Sequence, residues 1–427
     1  MSRNGTVLQR PARVPGAAAI ALRFGGPLGK RFTRHNLPLL SQVHMAFSAL
    51  RRSSQAIRGR GANIFTQWVG DPDALGSAVL LEAILRELGA REVRILTGTL
   101  GHPQNRNLVE RCGIELHDPN TGRMPRGLHC MVDTSPPLGM SNTSPVEPVR
   151  DYFFVADHHA DPEEVEANCR EAGVRRVKLA FVGVPVGSTS AFMAALAMAF
   201  GVLQNLDAPR RAAAALGIYT DTSALLHGST PLDFRMFEKL TRDEETLDVL
   251  DELRDYRVPP EWLAYQAEAI KHLEVTGAVR VAPVGYVGAA HRDVIAEIAS
   301  NLLRVEGTSI GIAVAVTEMG TEASVRADSR LLGGDRQRIV RVIDHLLEYA
   351  FPGVSGFKHE RRPPHRVEGG ACVPHEPAQI HAWGLGGYHG PNQEDAMRRH
   401  CQQVARALVT ALRDLQYAKP EEIQGLL

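Results

Sequence analysis

Four short segments carry carboxylates and imidazoles at positions where an α/β sheet would gather them. Gly70-Asp71-Pro72-Asp73-Ala74 follows a strand-like run and opens a helical one. On an extended segment residues two apart face the same way, so Asp71 and Asp73 present both carboxylates to one side. Met131-Val132-Asp133-Thr134-Ser135 ends a second strand-like run and Val155-Ala156-Asp157-His158-His159 a third. Gly217-Ile218-Tyr219-Thr220-Asp221 is grouped with them as a fourth strand-end context. Converging carboxylates repel and shift one another's pKa values unless cations lie between them. Asp oxygens with some imidazole nitrogen, and no thiolate, suit hard or borderline divalent ions such as Mn or Mg. Two such ions about 3.5–4 Å apart would activate water and stabilise both oxygens of an in-line displacement at phosphorus. Taken singly, each segment has a plainer reading. Asp-x-Asp after a strand is a common helix cap, Asp133 before Thr-Ser-Pro is turn chemistry, and one Asp-His-His arises by chance. Together they predict metal-dependent phosphoester hydrolysis.

The elements that must position these residues are legible as alternating strand and helix patterns from residue 63 onward, which argues for parallel βαβ units. Strands are expected at 63–69, 92–96, 128–132, 152–156 and 177–181, and helices at 41–57, 75–88, 103–112, 188–200 and 209–219. Residues 1–40 read as loosely ordered. An all-helical stretch follows, including the acidic run 243–255 and a helix opened by Pro259-Pro260, since proline fits a first turn. A second α/β unit is expected from strands at 274–284, 309–316, 322–327, 367–373 and 380–383 with helices at 292–303 and 335–349. A last amphipathic helix over 392–416 carries Met397, Val404, Leu408 and Leu412 at helical spacing, a pattern of packing on its own domain. In a parallel sheet the carboxyl ends of strands share one edge, where ligands bind.

Composition bounds the classes. The 427 residues are 44% hydrophobic and 22% charged, with 39 Gly and 26 Pro, which excludes disordered, coiled-coil and collagen-like chains. No apolar run approaches the ~20 residues of a membrane helix, so no membrane span is expected. Five cysteines at irregular spacing give neither a disulfide framework nor a zinc cluster, and a reducing cytoplasm is the simplest home. Net charge is zero, yet the first sixty residues hold eleven Lys or Arg and no Asp or Glu. That head reads either as a polyanion-binding arm or as a solvated basic tail; aromatics suited to base stacking are nearly absent from it.

The four segments resemble the signature motifs of the DHH phosphoesterase superfamily, whose triplet is Asp157-His158-His159 here. The likeness runs from about residue 63 to 370 and includes Pro185-Val186-Gly187-Ser188-Thr189-Ser190, similar to the family's Gly-Ser-Thr helix start. The resemblance implies Asp71, Asp73, Asp133, His158 and Asp221 as ligands of two divalent metal ions, manganese before magnesium, with Asp133 bridging. It implies Asp157 and His159 as catalytic-site residues, the first orienting the imidazoles and the second facing substrate phosphate. Many members carry a histidine four residues before the first Asp; that position is Gln67, as in RecJ-type members, which also lack the His. The second unit resembles the substrate-binding DHHA1 domain. Ser324-Val325-Arg326 looks like its Ser-x-Arg strand, and Pro363-Pro364-His365 through Gly370 like its Gly-Gly-His-x-x-Ala-Ala-Gly loop, with prolines for the first two glycines. Arg326, His365 and Gly370 are the implied substrate-binding residues.

The fold class expected is therefore α/β: a parallel-sheet DHH domain joined by a helical connector to a smaller α/β DHHA1-like domain. The boundaries are a basic extension over 1–60, the DHH domain over 61–230, the connector over 231–273, the DHHA1-like domain over 274–385 and the final helix over 386–427. The expected function is a manganese-dependent phosphodiesterase or phosphatase acting on short oligonucleotides, dinucleotides or adenosine bisphosphate. The alternatives are a non-catalytic nucleotide sensor and a pyrophosphatase or exopolyphosphatase. A homodimer is an implication of the resemblance.

Overall fold

The computed structural model describes residues 22–23, 39–67, 70–98, 100–118, 126–137, 149–328, 340–343, 346, 348–349, 366–376, 379 and 391–418. The expected strand at 380–383 and the residue His365 lie outside them, as does part of the expected helix at 335–349. The described chain divides into two units, one of residues up to 99, 111–225 and 229–250, the other of 100–110, 226–228 and 251 onward. Among the described residues no helix is long and apolar enough to cross a membrane, and none of the five cysteines is in a disulfide.

The first unit runs β1 (Leu22–Arg23), α1 (Leu39–Arg52), α2 (Ser54–Ile57), β2 (Gly61–Phe65), α3 (Pro72–Glu87), β3 (Glu92–Leu96), α4 (Pro103–Arg111), β4 (Leu116–His117), β5 (Leu128–Val132), β6 (Asp151–Asp157), α5 (Pro162–Glu171), β7 (Arg176–Val182), α6 (Thr189–Phe200), α7 (Ala208–Asp221), α8 (Pro231–Leu240) and α9 (Glu244–Arg254). Most of α4 and the end of α9 are grouped with the other unit. The sheet order is β1-β7-β6-β5-β2-β3-β4; strands β2 to β7 are parallel and β1 adds antiparallel to β7. Strands β5 and β6 are almost wholly buried and read as continuous apolar runs, Cys130-Met131-Val132 and Tyr152 to Ala156, as a two-face-covered parallel sheet requires. Phe65, Leu96, Met131, Val155 and Val177 pack with Val165 and Cys169 of α5. Helices α3, α6 and α7 pack on one another, and α3 is buried along nearly its whole first three turns.

Five expectations are corrected here. Strand β2 begins at Gly61 rather than 63 and ends at Phe65; Gly61 sits so close to the Arg126 carbonyl that a Cβ there would lie 3.1 Å from it, so the small residues belong to the strand. Asp221 ends helix α7 and not a strand, because the Ala-rich run 212–215 carries the helix through it. Helix α5 and the short β4 were not expected: α5 buries only Pro162, Val165, Glu166 and Cys169, so it shows little apolar periodicity. The two residues of β1 are paired, within a stretch read as loose. The strand expected at 274–284 is a hairpin, β8 (Glu274–Thr276) and β9 (Val279–Tyr286), broken at Gly277 with φ 51°.

The second unit follows with α10 (Pro260–Lys271), β8, β9, α11 (Val294–Leu302), β10 (Ile310–Val316), β11 (Thr321–Asp328), β12 (Arg366–Val373) and α12 (Pro391–Ala418). Its sheet order is β12-β11-β10-β9-β8, with β9 and β10 parallel and the other pairs antiparallel. Alternate residues face opposite layers, as the two-residue period demands. Val279, Val281, Ile312 and Val314 meet Met397, Cys401, Leu408 and Leu412 of α12. Ala282, Val284, Ala313 and Ala315 meet Ile295, Ile298 and Trp262.

Candidate metal centre

At the carboxyl edge of the first unit's sheet, four side chains from four elements meet. Asp73 is in the first turn of α3, Asp133 directly follows β5, His158 directly follows β6 and Asp221 ends α7. His158 Nε2 lies 3.2 Å from Asp221 Oδ2, 3.6 Å from Asp133 Oδ1 and 3.8 Å from Asp73 Oδ2. Two triads of potential ligand atoms result, Asp73–His158–Asp221 and Asp133–His158–His159, each with all atoms within 4.8 Å of one another.

Local structure explains why they stay there. Asp71 caps α3, its Oδ1 accepting from Ala74 N at 2.9 Å, and Pro72 takes the first helical position. The Gln67 amide donates to Asp71 Oδ2 and helps to hold that carboxylate. Asp73 is fully buried and accepts from Thr189 N at 2.7 Å and Ser190 N at 2.8 Å, the first amides of α6. A carboxylate at a helix amino terminus satisfies donors that the helix cannot. Asp133 has φ 57°, the left-handed region that Asp tolerates better than most residues, and the Thr189 hydroxyl donates to its Oδ1 at 2.9 Å. Asp157 accepts from Ser135 Oγ at 2.6 Å and His159 N at 2.9 Å, with His159 Nδ1 at 3.4 Å.

The electrostatics are those of a cation site. Burial, then the charges of Asp73, Asp71, Asp221 and Asp157, push the Asp133 carboxyl well above its ordinary range. Burial and Asp221 raise Asp73. Burial lowers the His158 imidazole, but the surrounding carboxylates outweigh it and carry the pKa to about 9. Asp157 is held below its usual value although burial opposes this, because His159 and Ser135 bond to it. Asp133 Oδ2 and His158 Nε2 are buried without a hydrogen-bond partner among the described residues. If a cation displaced the Nε2 proton, the proton left on His158 Nδ1 would face the Val186 carbonyl at 3.3 Å and the Nε2 lone pair would face the cation among three carboxylates. A buried, unpartnered carboxylate oxygen among like charges, beside an imidazole, fits a divalent cation with oxygen and imidazole ligands.

Of the residues singled out in the sequence, Asp73, Asp133, Asp157, His158, His159 and Asp221 come together. Asp71 stands beside them and influences Asp133 but joins neither triad. Arg326 and Gly370 belong to the second unit, on β11 and β12, where Gly370 pairs with Ser324. There Arg326 Nη1 donates to Ser324 Oγ at 3.1 Å, and its Nη2 lies 3.5 Å from Glu368 Oε2. Residues that were not singled out are Thr189, Ser135 and Asp233. Asp233 is fully buried and accepts from Gly187 N at 2.9 Å and Thr230 N at 2.7 Å, fixing the turn that presents α6. Thr189 lay in the quoted helix-start motif and Ser135 just past a predicted strand end, and neither position carried a further signal.

A crystal structure of an exopolyphosphatase-related protein from Bacteroides fragilis superposes with TM-score 0.53 at 12% identity, over 87% of this chain and 98% of that one. The chain shares the fold of that protein. A DHH domain described as belonging to a family of ribosomal proteins superposes with TM-score 0.37 at 12% identity, over 87% of this chain and 90% of that one. An uncharacterized protein of Methanocaldococcus jannaschii is 23% identical over 353 residues, 81% of this chain and 63% of that protein, so the chain spans less than two thirds of that relative's length. No family model matches. In this fold Asp157-His158-His159 brings together one carboxylate, Asp157, which accepts from His159 N, and two imidazoles whose ring centroids are 3.9 Å apart.

Proposed function

We propose that the chain is a metal-dependent phosphoesterase acting on short oligonucleotides, dinucleotides or adenosine bisphosphate, with manganese as its preferred ion. The observation that carries this reading is the meeting of Asp73, Asp133, His158 and Asp221 around buried, unpartnered ligand atoms. Asp73, Asp133, His158, Asp221 and the neighbouring Asp71 would hold two divalent ions. Bound there, such ions supply Lewis-acid stabilisation of phosphoryl oxygens and a more acidic water. The chain's own residues do the rest. Thr189 keeps Asp133 oriented by donating to Oδ1, and the α6 amides hold Asp73 in place. His159, 52% exposed at the rim of the cluster and braced by Asp157, is placed to bind a phosphate oxygen and to pass a proton to the leaving oxygen. Arg326 of the second unit, with Gly370 and His365, would bind the nucleotide. We place the protein in the cytoplasm.

One observation keeps a second substrate class in view: the Bacteroides fragilis protein of the same fold is described as exopolyphosphatase-related, and the same site chemistry would cleave a phosphoanhydride. The test incubates purified protein and manganese with 5′-labelled dinucleotides, adenosine bisphosphate, pyrophosphate and polyphosphate. Turnover of the nucleotides that is abolished in Asp133→Ala supports the proposal. Turnover of polyphosphate alone transfers the reading to the second class, and turnover of none overturns both.

A further inference from the structure

The two edges of the first unit's parallel sheet carry opposite charge. The carboxyl edge holds the aspartates described above. At the amino edge nearly every strand is entered through arginine: Arg58 and Arg60 before β2, Arg91 before β3, Arg126 before β5, Arg150 before β6 and Arg176 opening β7. These six are exposed, and none makes an ion pair with another described residue. They are neighbours in space and not only in register. Arg91 N bonds to the Arg60 carbonyl at 2.9 Å, Arg175 N to the Arg150 carbonyl at 2.8 Å, and the Arg126 carbonyl lies against Gly61. Arg94 and Arg175 are balanced by Glu92 and Asp151. Two further acids, Glu87 and Glu171, end the helices that lead to this edge. The remaining excess is positive. Burial, then Arg176 and Arg60, hold the Lys178 ammonium below its ordinary range, which marks like charges crowded together.

We propose that this amino edge is a docking surface for the phosphates of duplex nucleic acid. Five adjacent strands from β7 to β3 at ~4.8 Å spacing make a row of ~19 Å, the length of about five phosphates of a duplex strand. Arginine is suited to that contact, since its planar fork meets phosphate oxygens in pairs. The surface lacks what other polyanion partners require. No exposed Phe, Tyr or Trp lies in residues 58–61, 87–94, 126–129, 149–151 or 171–178 to stack unpaired bases. None of the exposed large hydrophobic residues falls there to enter a lipid surface. Arg23 of β1 pairs opposite Arg176 at the same edge. The two edges are separated by the five residues of β5, ~16 Å. Nucleic acid on the amino edge is therefore tethered and not presented to the metal centre of the same unit.

This inference does not depend on the phosphoesterase reading, and one experiment separates them. The full chain, in EDTA, is titrated into a fluorescein-labelled 30-base-pair DNA duplex while anisotropy is read at several salt concentrations. Binding is expected, with log K falling against log salt by about 0.9 per phosphate engaged. The triple variant Arg60→Gln/Arg126→Gln/Arg150→Gln should bind at least about tenfold more weakly at low salt and with a slope smaller by about 2–3. Asp133→Asn should bind as the parent does, whatever its activity. Unchanged urea midpoints confirm that the triple variant is folded. Equal binding by parent and triple variant, no binding by the parent, or capture by phosphatidylserine vesicles without duplex binding would each overturn the proposal.

Discussion

Asp133 combines a left-handed backbone, a buried carboxylate with one unpartnered oxygen, and four other carboxylates close enough to raise its pKa. Each of these costs stability and each is what a ligand that bridges cations needs. The linkage follows from the direction of the shift. A carboxyl whose folded pKa lies above its unfolded value contributes fully below the unfolded value of 3.8 and loses that contribution as pH rises through the folded one. Asp133→Asn, which keeps an acceptor for Thr189 but no charge, is therefore expected to stabilise the cation-free protein at neutral pH. The gain should be on the order of 1–3 kcal/mol, the scale of a buried polar group freed of its penalty. Urea denaturation in EDTA at pH 4 and pH 7 checks it: the difference between variant and parent should grow with pH, while phosphoesterase turnover of the variant falls to background. Thr189→Val removes the hydroxyl that donates to Asp133 and should lower turnover about 10–100-fold, as loss of a ligand's hydrogen-bond partner does; steady-state kinetics with the nucleotide substrate measure it. At this scale the sequence was informative where residue type is chemistry, as in Asp157-His158-His159. It offered Thr189 only as part of a helix-start motif and was silent about Asp233, and the roles of both come from hydrogen bonds across 56 and 46 residues of chain.

Among elements, the approach of α7 to α3 decides whether Asp221 joins Asp73. Gly217, one turn before Asp221, lies against α3 so closely that a Cβ would stand 2.9 Å from both Asp73 Cα and the Pro72 carbonyl. Gly76 does the same from α3, with Ala213 O at 2.8 Å. A glycine inside a helix ordinarily costs up to about 1 kcal/mol relative to alanine, so exchanging it on helical propensity alone should stabilise. The packing reverses the sign: Gly217→Ala is expected to destabilise the protein by about 1–3 kcal/mol, the cost of overpacking. It should also weaken manganese affinity, because the added methyl pushes Asp221 away from Asp73. Thermal unfolding without metal and isothermal titration with manganese separate the two effects, and a variant more stable than its parent would refute the close approach. The Ala-rich run before Asp221 made the helix legible, yet the segment was grouped with strand ends because three companions sit there. The parallel core strands were legible from their unbroken apolar runs, and β3 and β5 match to the residue. Surface helix α5 was not, since its order rests on the Asp161 cap, Pro162 and Arg170–Glu166 pairing and not on an apolar stripe.

Across the whole chain, a parallel sheet converts sequence order into a spatial separation of charge: strand ends collect carboxylates and strand starts collect arginines. Cations bound as proposed at the carboxyl end would then tie together α3, β5, β6 and α7, none of which belongs to the second unit. A ligand that binds only the native form stabilises by about 2.7 kcal/mol at one hundred times its dissociation constant, equivalent to a hundredfold slower exchange of amides that open with the site. Hydrogen–deuterium exchange with and without manganese should therefore slow amides at the start of α3 and α6, the ends of β5 and β6 and the last turn of α7. Amides of β9, β10 and α12 should exchange at unchanged rates, because their core is built from Val281, Ile312, Leu408 and their neighbours. Asp133→Asn should lose the manganese response throughout the first unit. Protection by manganese that is equal in both units, or that persists in the variant, would mean that the ion binds somewhere other than among Asp73, Asp133, His158 and Asp221.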